Sequence, residues 1–567
     1  MVILFYFYIV FQISESGSNS SLKPVKDMRK IITFTTNGIP QKKHPETTNC
    51  MKRPVCFLTS LLFVLLPASG QDFNLYSDPE TENSELYSSG NPYQKDVLLF
   101  YSMLEETHPH FADSRRAKAL ERERMKSFRW AEDCTSASGL GTYIQSRLAI
   151  LEDGHTTVAP SYRTDQIYPI NLYFLNDSEV YVKGIAAEYS EFLGKRLKSM
   201  NGMKIKDVLD GFRGKMSSDN ENRFIRDVGN MMQFFQNWED LPYMAADSSL
   251  NLVFTDMTSL KIYPCDIRGT EIVWAYDMAG KGITAPKKAL FYYEIPEDKQ
   301  LCYLQFNAFT DRNTELQRVA ASMPAGQEIP ANVMARLDML PRFNVFLEEM
   351  FRDISANGVK TLVVDLRNNK GGNSILGDIL LSWLKPAAQT ADYRSYTRLS
   401  PLWGMQYPSL MSQYRKAAQD RGETIDGDTL YNGKYLTSLS GAPESPDTLF
   451  RLNCTTDTFN GDVIFIQGRD TYSSAGMLLT KARDNGIGLI IGEESSFRPD
   501  TYGDLLTWML PNTGIRGYVS SKYFQRPAGD REHGNALVPD VLITPSWDDF
   551  MSGKDPAWEW IENNKDK

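Results

Sequence analysis

The sequence predicts an α/β protein with a helical N-terminal part, a β-rich middle and a long segment in which strands and helices alternate. Buried-strand candidates recur from about Ala289 onward, at Leu301–Phe306, Thr361–Leu366, Val463–Gln467 and Leu489–Gly492. Helices of suitable length lie between several of them, near Asn344–Ala356 and Ser473–Asp484. Such alternation is typical of layered α/β folds. The composition, 42% hydrophobic and 23% charged, is that of a chain that buries a core.

The region before residue 289 divides into a helical and a β-rich stretch. Apolar residues at helical spacing predict helices over Asp96–His108 and Gly141–Glu152. Between residues 168 and 268 the pattern changes to short strands, with candidates at Ile170–Phe174 and Glu179–Gly184, and the pair Asn201-Gly202 predicts a tight turn. Two later stretches fit neither pattern and are interpreted as surface insertions, Thr314–Ala335 and Arg394–Ser438.

The chain between Met51 and Gly70 has the three parts of a secretory signal peptide. Lys52 and Arg53 supply a positive start, Phe57–Leu66 is an apolar run, and small residues follow. The run is too short to span a bilayer, which takes about 20 residues. We therefore expect an exported protein, periplasmic or extracellular, that meets the membrane only through its export signal. Residues 1–50 would precede this signal, so they are either a mis-assigned start or a disordered extension.

The charge balance and the cysteines argue against two kinds of site. Beyond residue 70 the chain has 53 basic and 68 acidic residues, a net charge of −15. It lacks the clustered Lys and Arg that phosphate binding needs, so nucleic acid is not an expected partner. The cysteines beyond that point lack C-x-x-C spacing, which argues against a zinc site. They could form any of three disulfide pairings or be buried thiols: Cys134, Cys265, Cys302 and Cys454.

A serine turn follows the predicted strand Val463–Gln467. The sequence continues with a short polar stretch and then a helix that opens at Ser473-Ser474 and closes at Gly486. Unpaired backbone N–H groups and the positive end of the helix dipole stabilise negative charge at such a position. This arrangement suits a nucleophile beside an oxyanion site. The alternative is a serine that only caps the helix.

A glycine pair follows the predicted strand Thr361–Leu366. Arg367–Lys370 leads into Gly371-Gly372. Adjacent glycines let the backbone pass close to a ligand and expose its N–H groups. The alternative is an ordinary turn from a strand into a helix.

Together these segments resemble the tail-specific, or C-terminal-processing, serine peptidases. Val364–Asn373 is similar to the oxyanion loop of that family, and Asp470–Gly476 with Ile490–Glu494 is similar to its nucleophile turn and the strand that follows. Val538–Ile543 is similar to its closing strand. The resemblance covers about Lys95–Thr544.

The resemblance implies a crotonase-like α/β peptidase core with two added parts. The region around Asn201-Gly202 is similar to a PDZ-like module. The implied organisation is a start region 1–50, a signal peptide 51–70, a helical N-terminal cap 71–165, a PDZ-like module 166–270, a peptidase core 271–552 and a tail 553–567.

The resemblance also implies roles for single residues. Ser473 rather than Ser474 matches the nucleophile, because Gly492 then follows 19 residues later, as in the family pattern. The oxyanion hole would use the backbone N–H of Ser474 and that of Gly371 or Gly372.

The general base must differ from the lysine that many family members use. The matching position is Arg498, and a guanidinium does not lose its proton at working pH. Leu151–Thr156 is similar instead to a Leu-x-Asp-Gly-His turn of the branch that contains the tricorn core, which implies His155 as the base. His155 could otherwise only cap a turn. His108 and His110 match a helical motif of that branch and are interpreted as structural.

The same branch uses a carboxylate to orient the histidine. Glu532 lies 59 residues beyond Ser473, as the resemblance requires, with Asp530 as the competitor and a solvated loop charge as the alternative. The implied reaction is hydrolysis of a peptide bond in a peptide or protein substrate through an acyl-enzyme, without a metal or cofactor. The sequence gives no indication of the oligomeric state.

Two rival hypotheses remain open at this point. The same core resembles a non-proteolytic module similar to the retinoid-carrying protein of the eye, which would make the chain a binding protein for an apolar ligand or peptide. A missing histidine or a replaced serine would favour that reading, and both residues are present. The second rival keeps the peptidase and uses a lysine such as Lys481 as the base.

Overall fold

The computed structural model describes residues 73–159, 166–275, 283–297, 300–323, 327–440, 458–529 and 534–564. The predicted start region 1–50 and signal peptide 51–70 lie outside these residues, as do Cys454, Asp530 and Glu532. Within the described ranges, no helix is both long enough and apolar enough to cross a membrane. Cys134, Cys265 and Cys302 form no disulfide among these residues.

The described strands and helices have the following bounds. The strands are β1 Thr157–Val158, β2 Ile170–Phe174, β3 Val180–Ala186, β4 Leu197–Met200, β5 Met203–Lys204, β6 Leu250–Phe254, β7 Ser259–Ile262, β8 Ile272–Trp274, β9 Phe291–Glu294, β10 Leu301–Phe306, β11 Thr361–Asp365, β12 Arg394–Arg398, β13 Leu430–Asn432, β14 Asp462–Gln467, β15 Leu489–Gly492, β16 Thr501–Met509, β17 Arg516–Gln525 and β18 Val541–Leu542. The helices are α1 Pro79–Glu82, α2 Glu85–Ser89, α3 Pro92–Thr107, α4 Ser114–Trp130, α5 Ala137–Leu148, α6 Ile205–Arg213, α7 Glu221–Met231, α8 Arg312–Ser322, α9 Ala331–Leu337, α10 Phe343–Asn357, α11 Ile375–Ser382, α12 Pro401–Gln406, α13 Pro408–Asp420, α14 Gly433–Ser440, α15 Ser474–Asp484, α16 Trp547–Ser552 and α17 Pro556–Asn564.

A largely parallel sheet forms the centre of the C-terminal half. Its order is β18-β15-β14-β11-β10-β9, and all neighbours are parallel except β9 and β10. Every residue of β10 and β11 is buried, as expected for parallel strands that are covered on both faces and therefore need continuous apolar runs. The predicted α/β class is confirmed, and the four predicted strands agree with β10, β11, β14 and β15.

Two predicted crossover helices connect these parallel strands. α10 lies between β10 and β11, and α15 lies between β14 and β15. α10 buries Phe343 and Ile354 and ends at Gly358, whose φ of 65° suits a glycine cap. Parallel pairing of β11 with β14 brings the turns after both strands to one edge of the sheet. That edge therefore holds both the glycine pair and the serine turn.

A second, antiparallel sheet packs with the N-terminal helices. Its order is β1-β17-β12-β13, and β16 also pairs with β17. The predicted helices near the N-terminus are present as α3 and α5, and Phe100 of α3 shares one buried cluster with Trp403 and Trp508. This cluster joins residues from the first and the last third of the described chain.

The interpretation of Arg394–Ser438 as a surface insertion is wrong. This stretch supplies β12 and β13 to the second sheet, and α12, α13 and α14 bury apolar residues in the shared cluster. Pro401 and Pro408 each begin a separate helix, so no long helical period is visible in the sequence. α8 and α9 occupy most of the other stretch, Thr314–Ala335.

The middle segment is β-rich, as predicted. β2-β3-β8 and β5-β4-β6-β7 are two sheets with antiparallel pairs, and α6 and α7 contribute to their common core. The predicted strands Ile170–Phe174 and Glu179–Gly184 correspond to β2 and β3. Asn201 and Gly202 have φ of 46° and 76° and connect β4 to β5, which confirms the predicted tight turn.

Candidate active site

Hydrogen bonds fix the turn after β14 to the loop after β11. Tyr472 N–H donates to Asn369 O at 3.0 Å, and Thr471 Oγ1 donates to Leu366 O at 2.8 Å. Ser473 follows and caps α15 with φ 52° and ψ −126°. A non-glycine residue held at positive φ costs about 1–3 kcal/mol and persists only where its surroundings impose it. The backbone therefore holds Ser473 in a strained conformation at the carboxyl edge of the parallel sheet.

The glycine pair lies against this turn. A Cβ on Gly371 would lie 2.7 Å from the Cβ of Ser473, and a Cβ on Gly372 would lie 2.2 Å from Phe309 O. Their φ values of 97° and 141° also disfavour any side chain. Both positions require glycine because the loop backbone touches its neighbours directly.

The N–H groups near Ser473 are not equivalent. Gly371 N–H donates to Asn369 Oδ1 at 2.9 Å, so it already has an acceptor. Among the described residues, the N–H groups of Gly372 and Ser474 donate no hydrogen bond. Ser474 also begins α15, where the first N–H groups lack helical partners and carry the positive end of the dipole. Of the two glycines left open by the sequence, Gly372 therefore has the available donor.

The two adjacent serines have different surroundings. Ser473 Oγ lies 3.1 Å from His155 Nε2. Ser474 is buried, and its Oγ donates to Gly372 O at 2.6 Å. The first hydroxyl therefore faces an imidazole, while the second ties the start of α15 to the glycine loop.

His155 reaches Ser473 from a turn 318 residues earlier in the chain. This turn follows Glu152, which has φ 48°, and it leads directly into β1. Thr157 of β1 pairs with Tyr518 of β17, so the second sheet anchors the turn. The predicted base and the predicted nucleophile thus lie within hydrogen-bond reach of each other.

Asp153 supports the histidine turn from inside the protein. Its side chain is fully buried. Oδ1 accepts from His155 N–H at 2.9 Å, and Oδ2 accepts from Thr156 Oγ1 at 2.6 Å, from Ser520 Oγ at 2.8 Å and from His108 Nε2 at 3.1 Å. Burial raises the pKa of Asp153, but the hydrogen bonds from His108 and His155 outweigh it and hold the pKa well below its ordinary value. Asp153 is therefore a fixed negative charge behind the turn.

Tyr472 and Asp219 lie on the Nδ1 side of His155. The Tyr472 hydroxyl is 3.1 Å from Nδ1, and the two rings stack with centroids 4.7 Å apart. Asp219 is 2% exposed, and its Oδ1 accepts from Gly154 N–H at 3.1 Å. Its Oδ2 accepts no hydrogen bond among the described residues. Burial raises the pKa of Asp219, and the charges of His155 and Arg223 counter this only in part.

None of these three supporting residues was predicted from the sequence as part of the site. Tyr472 directly precedes the predicted nucleophile, and Asp153 is the acid of the Asp-Gly-His turn, so both lie inside motifs that were identified. Asp219 lies between α6 and α7 in the middle segment, where no motif pointed to it.

Lys481, the rival base, is engaged elsewhere. Its Nζ forms ion pairs with Asp378 and, at 2.8 Å, with Asp392. Burial lowers the pKa of Lys481, but these two carboxylates outweigh it and raise the pKa above its ordinary value. A lysine that holds its proton more tightly than usual is unsuited to act as a general base.

Arg498, at the position of the family lysine, donates to Glu152 Oε2 at 2.7 Å and to Asp219 O. Arg498 therefore connects the loops that carry Glu152 and Asp219. Glu532 and its competitor Asp530 lie outside the described residues, so the orienting role of Glu532 stays a prediction.

The segment that carries the glycine pair and the serine turn matches a known family. Residues 339–543 fit the sequence profile of peptidase family S41. The family confirms the predicted resemblance to the tail-specific peptidases and the predicted class of enzyme, a serine-type peptidase. It also implies that the substrates are peptides or proteins.

Solved structures share the fold around the family S41 segment. The crystal structure of mature CPAF is 15% identical, with a TM-score of 0.52 over 84% of this chain and 96% of that chain. The structure of mature CPAF complexed with lactacystin is 13% identical, with a TM-score of 0.52 over 85% of this chain and 98% of that chain. At these identities the likeness concerns the fold alone. No curated protein sequence matches the chain.

One acidic cluster beside Ser473 has the spacing of a metal site. The ligand atoms of Asp153, His155 and Asp219 lie within 4.8 Å of one another. The donor set does not fit a cation, because both oxygens of Asp153 and one oxygen of Asp219 already accept hydrogen bonds from N–H or O–H groups. A metal ion would have to displace these donors. The cluster is therefore better suited to hydrogen bonding.

Proposed function

We propose that the chain is an exported serine endopeptidase that hydrolyses peptide bonds through an acyl-enzyme on Ser473, with His155 as general base. The observation that carries the proposal is the 3.1 Å separation of His155 Nε2 and Ser473 Oγ. The proposed architecture is a crotonase-like peptidase core, 271–552, with a helical cap, 71–165, and a PDZ-like module, 166–270. Export is proposed from the signal sequence at residues 51–70.

The first chemical step forms the acyl-enzyme. Ser473 Oγ attacks the carbonyl carbon of the scissile bond while its proton moves to His155 Nε2. The C–N bond then breaks, and the leaving amine takes the proton from His155 Nε2. A water molecule hydrolyses the acyl-enzyme in the same way, which releases the carboxylate product and returns the proton to Ser473.

The oxyanion of each tetrahedral intermediate would accept hydrogen bonds from the N–H groups of Gly372 and Ser474. This assignment is supported by the absence of acceptors for both groups among the described residues and by the engagement of Gly371 N–H with Asn369. Donors that point at the developing charge typically contribute a factor of about 10²–10³ each.

The orienting acid of the proposed mechanism is Glu532. Its position relative to Ser473 in the sequence supports this role, and Asp530 is the competing residue. A carboxylate near His155 would favour the imidazolium that forms in each transition state.

The decisive experiment compares S473A and H155Q with the wild type on a quenched fluorescent peptide and with a fluorophosphonate probe. Both variants should lose peptide hydrolysis, and S473A should lose covalent labelling. K481A serves as the matched control and should retain activity, since Lys481 pairs with Asp378 and Asp392. E532Q should lose more activity than D530N. Undiminished hydrolysis by S473A would disprove the mechanism, and a wild type that neither cleaves nor labels would instead favour the binding-protein alternative.

A further inference from the structure

The hydrogen bond between Ser473 and His155 determines which ring nitrogen of His155 carries the proton, and therefore which group must accept a hydrogen bond from Nδ1. If Nε2 accepts the hydrogen bond of the Ser473 hydroxyl, a neutral imidazole must carry its proton on Nδ1. The Tyr472 hydroxyl, at 3.1 Å, is the nearer acceptor for that proton, and Asp153 Oδ1 lies farther away at 3.4 Å. Asp153 Oδ1 also accepts the backbone N–H of His155 already.

A tyrosine hydroxyl that accepts from Nδ1 has its own proton free to donate. Asp219 and the Tyr472 hydroxyl both lie against Gly154: Gly154 N–H donates to Asp219 Oδ1 at 3.1 Å, and a Cβ on Gly154 would lie 2.9 Å from Tyr472 Oη. In agreement with this placement, burial raises the pKa of Tyr472 well above its ordinary value, and the charge of Asp219 raises it further. Asp219 Oδ2 is a buried acceptor that has no hydrogen-bond partner among the described residues. A buried carboxylate oxygen without a donor is costly, so donation from Tyr472 satisfies both groups at once.

We propose that Tyr472 and Asp219 are positioning residues that form a hydrogen-bonded chain behind His155, from Ser473 Oγ through His155 and the Tyr472 hydroxyl to Asp219 Oδ2. The proposal rests on the proposed function, because it assigns the chain to the same histidine base. The chain fixes the Nδ1–H tautomer and stabilises the imidazolium when Nε2 takes the proton of Ser473. No proton leaves Tyr472 or Asp219 during the cycle.

Neighbouring residues fix the positions of Tyr472 and Asp219 in the hydrogen-bonded chain. The Arg223 guanidinium lies 4.0 Å from the centre of the Tyr472 ring and pairs with Asp227 at 2.7 Å. Gly154 leaves room for the hydroxyl, since a Cβ there would lie 2.9 Å from Tyr472 Oη. Gly154 N–H orients the Asp219 carboxylate through Oδ1.

The residues of the hydrogen-bonded chain come from three separate segments of the sequence. His155 comes from the N-terminal part, Tyr472 from the family S41 segment and Asp219 from the middle segment. Charged groups that face Asp219 are Asp153, His155 and Arg223, and Arg498 donates to its backbone carbonyl. The middle segment thus contributes a side chain to the environment of the base.

The test measures kcat, KM and the pH dependence of kcat/KM for Y472F, D219N and the double variant. Each single variant should lower kcat by about 10- to 100-fold, as loss of a supporting hydrogen bond typically does, with KM changed less than about twofold. Residues that act as one unit are not additive. The double variant should therefore lose little more than the worse single variant.

The pH profile separates positioning from mere structural support. An ionised Asp219 favours the positive charge on His155, so D219N should move the acid limb of kcat/KM to lower pH, by about one unit. The matched control is Y407F. The partly buried Tyr407 hydroxyl donates to Asp504 Oδ1 at 3.1 Å and makes no hydrogen bond to His155 among the described residues. Y407F should leave kcat and the pH profile unchanged.

The outcomes distinguish this proposal from the proposed function. If S473A and H155Q are inactive while Y472F and D219N retain the wild-type kcat and acid limb, the hydrogen-bonded chain is disproved and the peptidase mechanism stands. If S473A remains active, the peptidase mechanism itself fails. If both single variants lose activity but their effects multiply in the double variant, Tyr472 and Asp219 act independently and the chain is also disproved.

Discussion

The serine turn and the histidine turn meet at a hydrogen-bonding distance of 3.1 Å, yet they are held by different means. On the serine side, the backbone is constrained: Ser473 has positive φ, and Gly371 and Gly372 leave no space for a Cβ. On the histidine side, a buried carboxylate, Asp153, gathers hydrogen bonds from four residues.

This difference predicts which property, catalytic rate or stability, a substitution on each side should impair. Steric displacement of a loop leaves the fold largely intact but moves the reacting groups, and a shift of about 1 Å can cost about 10²-fold in rate. Loss of a buried charge leaves its hydrogen-bond donors unpaired. The free energy of unfolding therefore decreases, by an amount that depends on pH. Variants on the two sides should therefore separate into rate defects and stability defects.

The largest effect is expected for Gly372→Ala on the serine side. The new Cβ would lie 2.2 Å from Phe309 O, so the loop must move and carry the Gly372 N–H away from its proposed position in the oxyanion hole. We expect kcat to fall about 10²–10³-fold, the typical loss for one oxyanion donor. Gly358→Ala is the control, since Gly358 also has positive φ, at 65°, but a Cβ there meets nothing within 4 Å. Equal activities of the two variants in a peptide assay would contradict the steric account.

The serine side was largely predictable from the sequence because its parts are contiguous. Ser473 and the glycine pair each follow a buried strand, and parallel pairing of those strands brings the two turns together. His155 was predicted from its local turn. Asp219 was not, because it lies on a loop between two helices and only the folded chain brings it to Tyr472. The same limit applies to Arg394–Ser438, whose short helices bury their apolar faces against elements distant in sequence.

The second effect is expected for Asp153→Asn on the histidine side. The pKa of Asp153 in the folded protein lies well below the value of about 3.9 expected for an unfolded chain. Its ionised form therefore contributes stability that is present above about pH 4 and is lost as the pH falls through the folded-state pKa. We expect the free energy of unfolding at pH 7 to fall by about 3 kcal/mol.

Denaturant unfolding between pH 7 and pH 3 checks this prediction. The difference between wild type and Asp153→Asn should shrink on acidification. Asp113→Asn is the control at the protein surface: hydrogen bonds from Arg115 lower the pKa of Asp113 to about 2, and asparagine caps α4 as well as aspartate does. A difference for Asp153→Asn that stays constant over this pH range would show that the buried charge is not what supports the turn.

The smallest effect is expected for Ser474→Ala, directly beside the proposed nucleophile Ser473. The substitution removes the hydroxyl that donates to Gly372 O at 2.6 Å, and the loss of such a bond costs about 1 kcal/mol of stability. The backbone N–H of residue 474 remains, so the proposed oxyanion donor is kept, and activity should stay within about tenfold of the wild type. Fluorophosphonate labelling should persist at Ser473. If Ser474→Ala were as inactive and as unreactive toward the probe as Ser473→Ala, residue 474 would act through its hydroxyl. The proposed roles, Ser473 as nucleophile and Ser474 as backbone N–H donor, would then be wrong.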